Sequence, residues 1–506
     1  MNILGISSGF HDAAVTVVRT GKIRFAAHAE RYSKQKNDPF LNHELIDAAL
    51  EHGTPDIIVL HENSKAKKFR ALLSGDFNSF NELSQEDWIK EFYPQLAGIP
   101  ITSYWHHETH AAAGILTSNF QESAIMVIDA IGEFDCATIW GWKSKKLTKL
   151  HSTRFPSSLG LFYSAVTHRV GLKPNEDEYI LMGMAAYGDP IVASKLSRQM
   201  GKDFFKHAWA YTKPSQAIKM KKNLQKGMDP TMYEGVNDFD IAMAAQMQVE
   251  ERILAYAQYA KELTNSSNIV FMGGVALNCV ANSRLKEVGY DDVHIMPNPG
   301  DAGSSLGAAA LHVYNETGVK VKWEGPYLGN DIKGPYPIKK ALKSLLAGEI
   351  FGIANGKAEF GPRALGNRTL SADPRGAEIK DKVNKIKKRQ EFRPFAPIIL
   401  QEHVHEYFEM PGGVSDAPYM QYVARCKKPD EFPAIVHADG TSRVQTVNAE
   451  QHPELYELMT QFYNETGCPM ILNTSLNVKG MPIVNDEKDA AIFEDKYNVP
   501  VYTKDD

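Results

Sequence analysis

The chain has few cysteines, and they lie too far apart to form a recognisable framework. Its 506 residues contain four of them, at positions 136, 279, 426 and 468, with no CxxC pair. Zinc-thiolate sites use closely spaced cysteines, and small secreted scaffolds use a dense, even set. The spacing argues against disulfides and thiolate zinc sites. It favours a protein of a reducing cytoplasm, that of its own cell or, for a viral protein, that of the host.

The chain also lacks a long apolar run and an excess of positive charge. No stretch approaches the roughly 18 apolar residues of a membrane span, and the first residues predict a strand rather than a signal peptide. We therefore expect no membrane partner. The net charge of −5 does not predict nucleic-acid binding by the chain as a whole. A length of 506 residues predicts two or three domains.

Two histidines four residues apart begin the most informative stretch. His106 and His110 lie one helical turn apart, so one helix face would present both imidazoles to one metal ion. Asp129 follows an apolar run that predicts a buried parallel strand, and its carboxylate would face the ligand crevice. Asp301 precedes a Gly/Ala-rich helix and could face a metal or a ribose. Imidazoles with carboxylates suit iron(II), manganese or zinc better than magnesium.

Strands and turns recur along the chain in a way that indicates two similar halves. Strands are predicted near residues 2–7, 13–18 and 23–28, and the turn between the first two holds His11 and Asp12. A similar order of strand, turn and strand returns after residue 124. This opening resembles that of actin-like, Hsp70-like and sugar-kinase ATPases. We therefore predict the α/β class, with a duplicated βα architecture around a central cleft.

Two glycine-bearing turns are candidates for phosphate contacts. One holds Gly273, Gly274 and Asn278, and the other holds Gly303. Glycine permits close approach of the backbone, and the N-terminus of a helix favours an anion. Either turn alone is also explained by tight strand-to-helix packing. Their order along the chain favours a nucleotide site.

The motifs together resemble a known family, the O-carbamoyltransferases of the nodulation-factor and antibiotic-tailoring (NodU/CmcH) type. The resemblance covers nearly the whole chain, and its most specific strings are GPRALGNR at 361–368 and FRPFAP at 392–397. The other matching segments are residues 5–6, 10–13, 29–34, 106–112, 158–163, 182–188, 273–278, 301–303, 443–446 and 472–477.

The resemblance implies two domains and a two-part reaction. Residues 1–330 would form an actin/Hsp70-like (ASKHA) domain similar to the enzyme of tRNA threonylcarbamoylation, and residues 336–506 a YrdC-like α/β domain. Carbamoyl phosphate would be cleaved to carbamate and phosphate, and carbamate would react with ATP, bound with Mg²⁺, to give carbamoyl adenylate. The first domain, with iron(II) as the implied metal, would pass the carbamoyl group to an acceptor hydroxyl. His11 and Asp12 are alternative candidates for the base that takes the hydroxyl proton.

A run of cations in the last third of the chain fits two phosphate-bearing substrates. Arginine binds phosphate through a planar fork, and fixed cations stabilise the charge that develops at phosphorus. A phosphate would also accept hydrogen bonds from residues 473–475, which follow a predicted strand and would otherwise cap a helix. The residues expected to act there are the catalytic Lys387, Arg393, Arg443 and Ser475 and the substrate-binding Arg363, Arg368, Arg389 and Asn473.

The acceptor must be inferred from residues 190–228, the segment least like the family. Lysines there alternate with aromatic residues that include Trp209 and Tyr211, a composition typical of proteins that bind a base-bearing polyanion. The sequence thus favours a hydroxymethylated pyrimidine, such as 5-hydroxymethylcytosine, in DNA or as a nucleotide. A hydroxyl of a sugar or an antibiotic-like natural product is the alternative. The segment could also be a lysine-rich, solvated helix pair.

Two further functions and a homodimer stay open at this point. One function is tRNA threonylcarbamoylation, against which stand the presence of both domains in one chain and the strings at 361–368 and 392–397. The other is a nucleotide-dependent regulator without turnover, against which stands the full set of candidate ligands and arginines. Mass spectrometry of acceptor products, seeking one added carbamoyl group, would separate these hypotheses.

Overall fold

The computed structural model describes residues 1–74, 83–376 and 378–505, and these form two compact units. The first unit contains Met1–Arg24 and Pro39–Trp323, and the second contains Phe25–Asp38 and the chain from Glu324 onward. The sequence-based boundary near residue 330 thus lies close to that of the units. It had placed residues 25–38 in the first domain, whereas the structure assigns them to the second.

The first unit is built from two five-stranded sheets. The strands of the first sheet are β1 (Asn2–Ser7), β2 (Ala14–Arg19), β3 (Lys22–His28, which continues into the second unit), β4 (Ile57–Leu60) and β5 (Ile101–Ser103). The strands of the second sheet are β6 (Ser123–Ile128), β7 (Asp135–Lys143), β8 (Lys146–Arg154), β9 (Asn268–Met272) and β10 (Asp292–His294).

The two sheets have the same topology. The first runs β3-β2-β1-β4-β5 and the second runs β8-β7-β6-β9-β10. In both, the central strand is antiparallel to the strand that follows it and parallel to its other neighbour. The central strands β1 and β6 are buried along their whole length, as their apolar sequences predict. The predicted α/β class and its duplication are therefore confirmed.

Helices pack on these sheets, and two of them support the site described below. Helix His106–Thr117 packs directly on helix Ser304–Thr317. A Cβ at Gly307 would lie 1.9 Å from the carbonyl oxygen of Thr109, so only glycine allows this approach. The other helices of the first unit are His43–Leu50, Ser64–Ser74, Gln85–Phe92, Leu159–Arg169, Glu178–Met184, Pro190–Phe204, Asp238–Thr264 and Cys279–Asn282.

The second unit is also α/β, with one large mixed sheet. Its strands are β11 (Tyr327–Ile332), β12 (Phe351–Ala354), β13 (Gly356–Glu359), β14 (Arg368–Ala372), β15 (Ala396–Leu400), β16 (Phe408–Glu409), β17 (Tyr422–Cys426), β18 (Thr441–Val447), β19 (Met470–Ser475) and β20 (Val501–Tyr502). Eight of them run β16-β17-β18-β15-β19-β14-β12-β20, and β11 pairs with β13. The helices are Glu30–Ser33, Ile338–Leu346, Ile379–Lys387, Val404–Tyr407, Pro453–Thr466 and Glu487–Tyr497.

Residues 25–38 are an integral part of the second unit. The ring of His28 lies 5.5 Å from that of Phe360, and the guanidinium of Arg31 donates to the carbonyl of Gly361 at 3.0 Å. Lys34 forms an ion pair with Asp489. These contacts join positions more than 300 residues apart, so no local sequence pattern could reveal them.

Two general properties complete the description. Among the residues that the structure describes, no helix is long and apolar enough to cross a membrane. All four cysteines are buried, and none is in a disulfide.

Candidate metal centre and anion site

Four side chains that the sequence singles out as metal ligands converge in the first unit, and all four are buried. Nε2 of His106 lies 3.0 Å and Nε2 of His110 lies 3.2 Å from Oδ2 of Asp129. The two imidazole nitrogens are 3.1 Å apart. Oδ1 of Asp301 lies 3.4 Å from the first nitrogen and 3.3 Å from the second.

This donor set fits a divalent cation. Ligand atoms about 2.1 Å from an ion are about 3.0 Å apart at adjacent octahedral corners and about 3.4 Å apart at tetrahedral ones, which is the spacing observed. Oδ1 of Asp301 is buried and accepts no hydrogen bond from the described residues, so it is available as a ligand. Nitrogen and oxygen donors together suit iron(II), manganese or zinc.

Buried backbone contacts hold the ligands of the metal centre in place. Oδ1 of Asp129, directly after β6, accepts hydrogen bonds from the amides of Ala130 at 2.8 Å and Gly274 at 3.2 Å. The carboxylate of Glu133 accepts from the amide of His106, the first residue of its helix, at 3.1 Å. Sequence reasoning missed Glu133, because a carboxylate 27 positions away from the helix start leaves no local signal.

The first glycine turn contacts one of the candidate metal ligands, and its contact with a phosphate stays a prediction. Gly274 donates its amide to Asp129, and Gly273 has a φ of +91°, with 2.2 Å between a Cβ there and the carbonyl oxygen of Ile128. The expected helix start is wrong, because Gly274–Leu277 forms only a 3₁₀ turn and the following helix has four residues. Asn278 caps that short helix at the amide of Ala281.

The second glycine turn has a steric role. A Cβ at Gly303 would lie 1.9 Å from the carbonyl oxygen of Asn298. This close approach shapes the turn that carries Asp301 into the metal centre just before helix Ser304–Thr317 begins.

His11 lies beside the metal centre and is oriented by its neighbour. Its Nδ1 is 3.1 Å from Oδ2 of Asp12, and its Nε2 is 3.8 Å from Oδ2 of Asp301. Burial alone would lower the pKa of His11, but the charge of Asp301 and the hydrogen bond to Asp12 raise it to about 9. Asp12 occupies the left-handed region with a φ of +53°, so the turn is strained where it presents this pair.

A second group of buried ligand-type residues, His61, Glu62 and His106, adjoins the first. The ammonium of Lys67 lies 2.7 Å from Glu62 and already balances its charge, and Gln85 donates to the same oxygen at 2.8 Å. Burial lowers the pKa of His61 to about 3, so it is neutral. This group therefore needs no cation of its own. A His-Glu pair directly after the apolar strand β4 is a signal that sequence reasoning could have used.

The second unit brings four of its expected residues, Lys387, Arg389, Arg393 and Ser475, into one cationic cluster. The ammonium of Lys387 donates to Oγ of Ser475 at 3.1 Å and to Oδ1 of Asn477 at 2.7 Å. Burial, and then the charges of Arg389 and Arg393, lower the pKa of Lys387 well below its usual value. A buried lysine of this kind becomes fully charged when an anion binds beside it.

Asn473 and Ser475 lie inside β19, not after it as the sequence predicted. Both pair with β14, so the ladder continues through them and excludes a helix cap. The amide of Asn473 donates to the carbonyl of Ala364 at 2.9 Å and to the side chain of Gln445 at 2.8 Å. These contacts hold the loop 361–367 against the sheet. Buried Oδ1 of Asn473 and Nε of Arg443 have no partner among the described residues, so they are available to a ligand.

Arg368 is one of the residues expected to bind substrate. It is fully buried, and its guanidinium donates to the backbone carbonyls of Asn330, Asn355, Asn367 and Asn485 at 2.8–3.2 Å. Every nitrogen of the fork already has an acceptor, so the fold gives this arginine a structural role, and its contact with phosphate stays a prediction. Arg389 is partly committed in the same way, to Asn384 at 2.6 Å and Pro394 at 2.8 Å. Arg363 and Arg393 are half-buried.

The basic segment 190–228 is anchored to the body of the first unit. Buried Arg252 lies 3.4 Å from the ring centre of Phe205 and donates to the carbonyl of Ala217 at 2.6 Å. Trp209 and Tyr211 are exposed, with ring centroids 6.2 Å apart. Lys221 is bonded to the carbonyl of Lys202, and Lys222 lies over the ring of Phe204. Two of the lysines expected to meet a polyanion thus have partners within the chain.

The structure thus combines a buried cluster of metal-type ligands in a duplicated α/β unit with a cationic cluster in a second α/β unit of the same chain. The chain belongs to the carbamoyltransferase family, because the carbamoyltransferase N-terminus matches residues 2–310 and the carbamoyltransferase C-terminus matches residues 342–503.

Named relatives agree with this assignment over most of the chain. Protein sll1178 of Synechocystis is 32% identical and covers 97% of this chain and 93% of its own. Nodulation protein NolO of Bradyrhizobium diazoefficiens is 34% identical over 76% of this chain and 75% of its own. The 3'-hydroxymethylcephem-O-carbamoyltransferase of Amycolatopsis lactamdurans is 26% identical over 96% and 94%. This chain is an enzyme that transfers carbamoyl groups.

Proposed function

We propose that this enzyme uses carbamoyl phosphate and ATP to carbamoylate a hydroxyl group of a small acceptor, such as a natural product or a sugar. The observation that carries the proposal is the convergence of His106, His110, Asp129 and Asp301 beside His11. Relatives with hydroxymethylcephem and nodulation names support a small hydroxyl-bearing acceptor. They favour this acceptor over the hydroxymethylated pyrimidine that the sequence suggested.

The second unit would activate the carbamoyl group. Water cleaves carbamoyl phosphate to carbamate and phosphate, and a carbamate oxygen then attacks the α-phosphorus of ATP. The products are carbamoyl adenylate and pyrophosphate. Lys387, next to Ser475, and the neighbouring Arg393 would stabilise the negative charge on phosphate oxygens in both steps. The low-dielectric surroundings of the buried ammonium strengthen this interaction.

The first unit would transfer the group to the acceptor. A divalent cation on the four ligands would polarise the carbamoyl carbonyl. Asp12 would accept a hydrogen bond from Nδ1–H of His11 and so direct Nε2 of His11 toward the candidate metal centre. A cation bound by Asp301 would offset the charge that raises the pKa of His11, so Nε2 would be neutral in the loaded enzyme. Nε2 would then take the proton of the acceptor hydroxyl, the hydroxyl oxygen would bond to the carbamoyl carbon, and AMP would leave. This geometry favours His11 over Asp12 as the base.

The division of labour between the units can be tested with half-reactions. We expect Arg443→Ala and Ser475→Ala to stop pyrophosphate release driven by carbamoyl phosphate. Supplied carbamoyl adenylate should then restore acceptor carbamoylation in both variants, because the first unit is unchanged. Failure of this rescue in folded variants would contradict the assignment of the two half-reactions.

The acceptor class can be tested by mass spectrometry of product panels. Hydroxymethylated small molecules and sugars should gain one carbamoyl group, while reactions without carbamoyl phosphate should show none. Hydroxymethylated DNA as the sole substrate would support the nucleic-acid hypothesis. Its association constant would then fall with salt, and the plot of log association constant against log salt concentration would have a slope near −0.9 per phosphate contact. A threonine-containing product would instead support threonylcarbamoylation.

A further inference from the structure

The segment Phe25–Asp38 carries a buried arginine to which the proposed reaction assigns no role. Arg31 is 3% exposed, and its Nη2 donates to the carbonyl of Gly361 at 3.0 Å. Its Nε lies 3.4 Å from Oε1 of Glu30, too far for a good hydrogen bond. Nε and Nη1 have no hydrogen-bond partner among the described residues. A buried guanidinium is almost always fully bonded, so these vacant donors indicate a missing acceptor.

Another buried atom without a hydrogen-bond partner among the described residues belongs to Glu359, whose carboxylate contacts the loop 361–367. Oε1 of Glu359 accepts hydrogen bonds from the amides of Leu365 at 2.7 Å, Asn367 at 2.9 Å and Arg368 at 3.2 Å. These bonds fix the loop 361–367, which begins at the glycine that Arg31 contacts. Oε2 of Glu359 is buried and has no partner among the residues described.

The unpartnered atoms of Arg31 and Glu359 lie near the same buried residue, Arg368. The charges of both Arg31 and Glu359 act on buried Arg368, whose own donors are committed to backbone carbonyls. Arg31 therefore differs from Arg368 in the property that matters for binding, because two of its nitrogens remain available. A ligand with an anionic oxygen for Arg31 would complete the hydrogen bonding of this region, and an N–H group on that ligand could satisfy Glu359.

We propose that Arg31 is a substrate contact of the second unit and that it binds an oxygen of the phosphate group of carbamoyl phosphate. Carbamoyl phosphate carries an anionic phosphate and an amide N–H₂ group, and so matches both kinds of vacant atom. This inference rests on the proposed function. It makes a segment near the start of the chain part of the substrate site in the second unit.

The test compares Arg31→Gln and Arg31→Lys with the wild type and with Arg375→Gln. Arg375 is a matched control, because it lies in the same unit and pairs with Asp373 at 2.6 Å. The first measurement is the rise in melting temperature caused by inorganic phosphate and by carbamoyl phosphate. We expect both rises to be lost in Arg31→Gln, reduced in Arg31→Lys and unchanged in the control.

The second measurement is pyrophosphate release at varied substrate concentrations. The KM for carbamoyl phosphate should rise at least about tenfold in Arg31→Gln, as expected for loss of a charge-assisted hydrogen bond, while the KM for ATP stays within about twofold. A lower melting temperature with unchanged phosphate stabilisation and unchanged KM would show that Arg31 is structural only, and would overturn the proposal. So would the absence of any phosphate stabilisation in the wild type.

The outcome for Arg31 can be separated from that for the proposed function. If the wild type released no pyrophosphate with carbamoyl phosphate and ATP, the proposed function would fail. Phosphate stabilisation of the wild type and its loss in Arg31→Gln would still decide whether Arg31 binds phosphate.

Discussion

The two clusters of this enzyme are unbalanced in opposite senses. In the first unit, two buried carboxylates and two imidazoles converge on one position, and the imidazoles would have to be neutral to bind a metal there. In the second, buried Lys387 is surrounded by the positive charges of Arg389 and Arg393. A buried charge without a counter-charge is costly, so the first cluster favours a cation and the second an anion.

The pKa shifts follow the same division. Burial would raise the pKa of Asp301, but His106 and His11 hold it well below its usual value. Burial lowers the pKa of Lys387, and the neighbouring arginines lower it further. The carboxylate is thus kept ionised while the amine is pushed toward neutrality. We therefore expect a ligand to complete each cluster, and four experiments test this contrast.

The largest effect is expected from His110→Ala, which removes one of the four metal-type ligands. Acceptor carbamoylation should fall more than about 1000-fold, while pyrophosphate release in the second unit stays within about twofold. Elemental analysis of the purified protein and both rates are the measurements. His168→Ala, which changes an exposed histidine, is the control. Equal metal content in the wild type and His110→Ala would show that His110 is not a metal ligand.

The next largest effect is expected at Arg368, whose donors are all bonded to backbone carbonyls. Arg368→Ala should lower the free energy of unfolding by about 3–5 kcal/mol, because buried backbone carbonyls lose their donor and a cavity forms. Denaturant unfolding measures this loss, with Arg375→Ala as the exposed control. A variant of normal stability with a raised KM for ATP would show that Arg368 binds substrate after all.

A smaller effect is expected at the support of the metal centre. Glu133→Ala removes the carboxylate that holds the first amide of the histidine helix, so metal affinity should fall about 10–100-fold. Glu133→Gln keeps one acceptor oxygen and should lose less. Metal titration of the apo-protein measures both, and Glu122→Gln on the surface is the control. Unchanged affinity in Glu133→Ala would show that the helix needs no such support.

The smallest effect is a change in the free energy of unfolding, and it tests the cationic cluster around Lys387. Ligand-free Lys387→Met should be about 1 kcal/mol more stable than the wild type at neutral pH, because it removes a buried, unbalanced amine. The unfolded wild type binds more protons than the folded wild type between the depressed pKa and the usual value of about 10.4. Wild-type stability therefore rises with pH across that interval, and the advantage of the variant should shrink.

Unfolding curves at several pH values, with and without phosphate, measure this difference. Phosphate should stabilise the wild type more than Lys387→Met, because the anion recharges the amine. A variant that is less stable than the wild type at every pH would show that the contacts of Lys387 outweigh its burial.

Local patterns predicted those parts of the site that depend on local geometry. The spacing of His106 and His110 on one helix, and the position of Asp129 after an apolar strand, follow from the periods of 3.6 and 2 residues. The order of strands and turns likewise predicted two sheets of one topology. The glycine turns were located correctly, but Gly274 bonds Asp129, a partner that no local pattern reveals.

Motifs and residue spacing were enough to predict the α/β class, the duplicated first unit, the family and the candidate metal ligands. They could not predict which buried cations already have acceptors within the fold. The sequence singled out Lys387 in a basic run, and the helix Ile379–Lys387 buries that residue while it exposes Lys385. Arg368 and Arg31 both lie in family motifs, and only their distant neighbours distinguish a saturated guanidinium from one with vacant donors. The physical reason is that charge balance depends on burial and long-range contacts, which residue spacing does not encode.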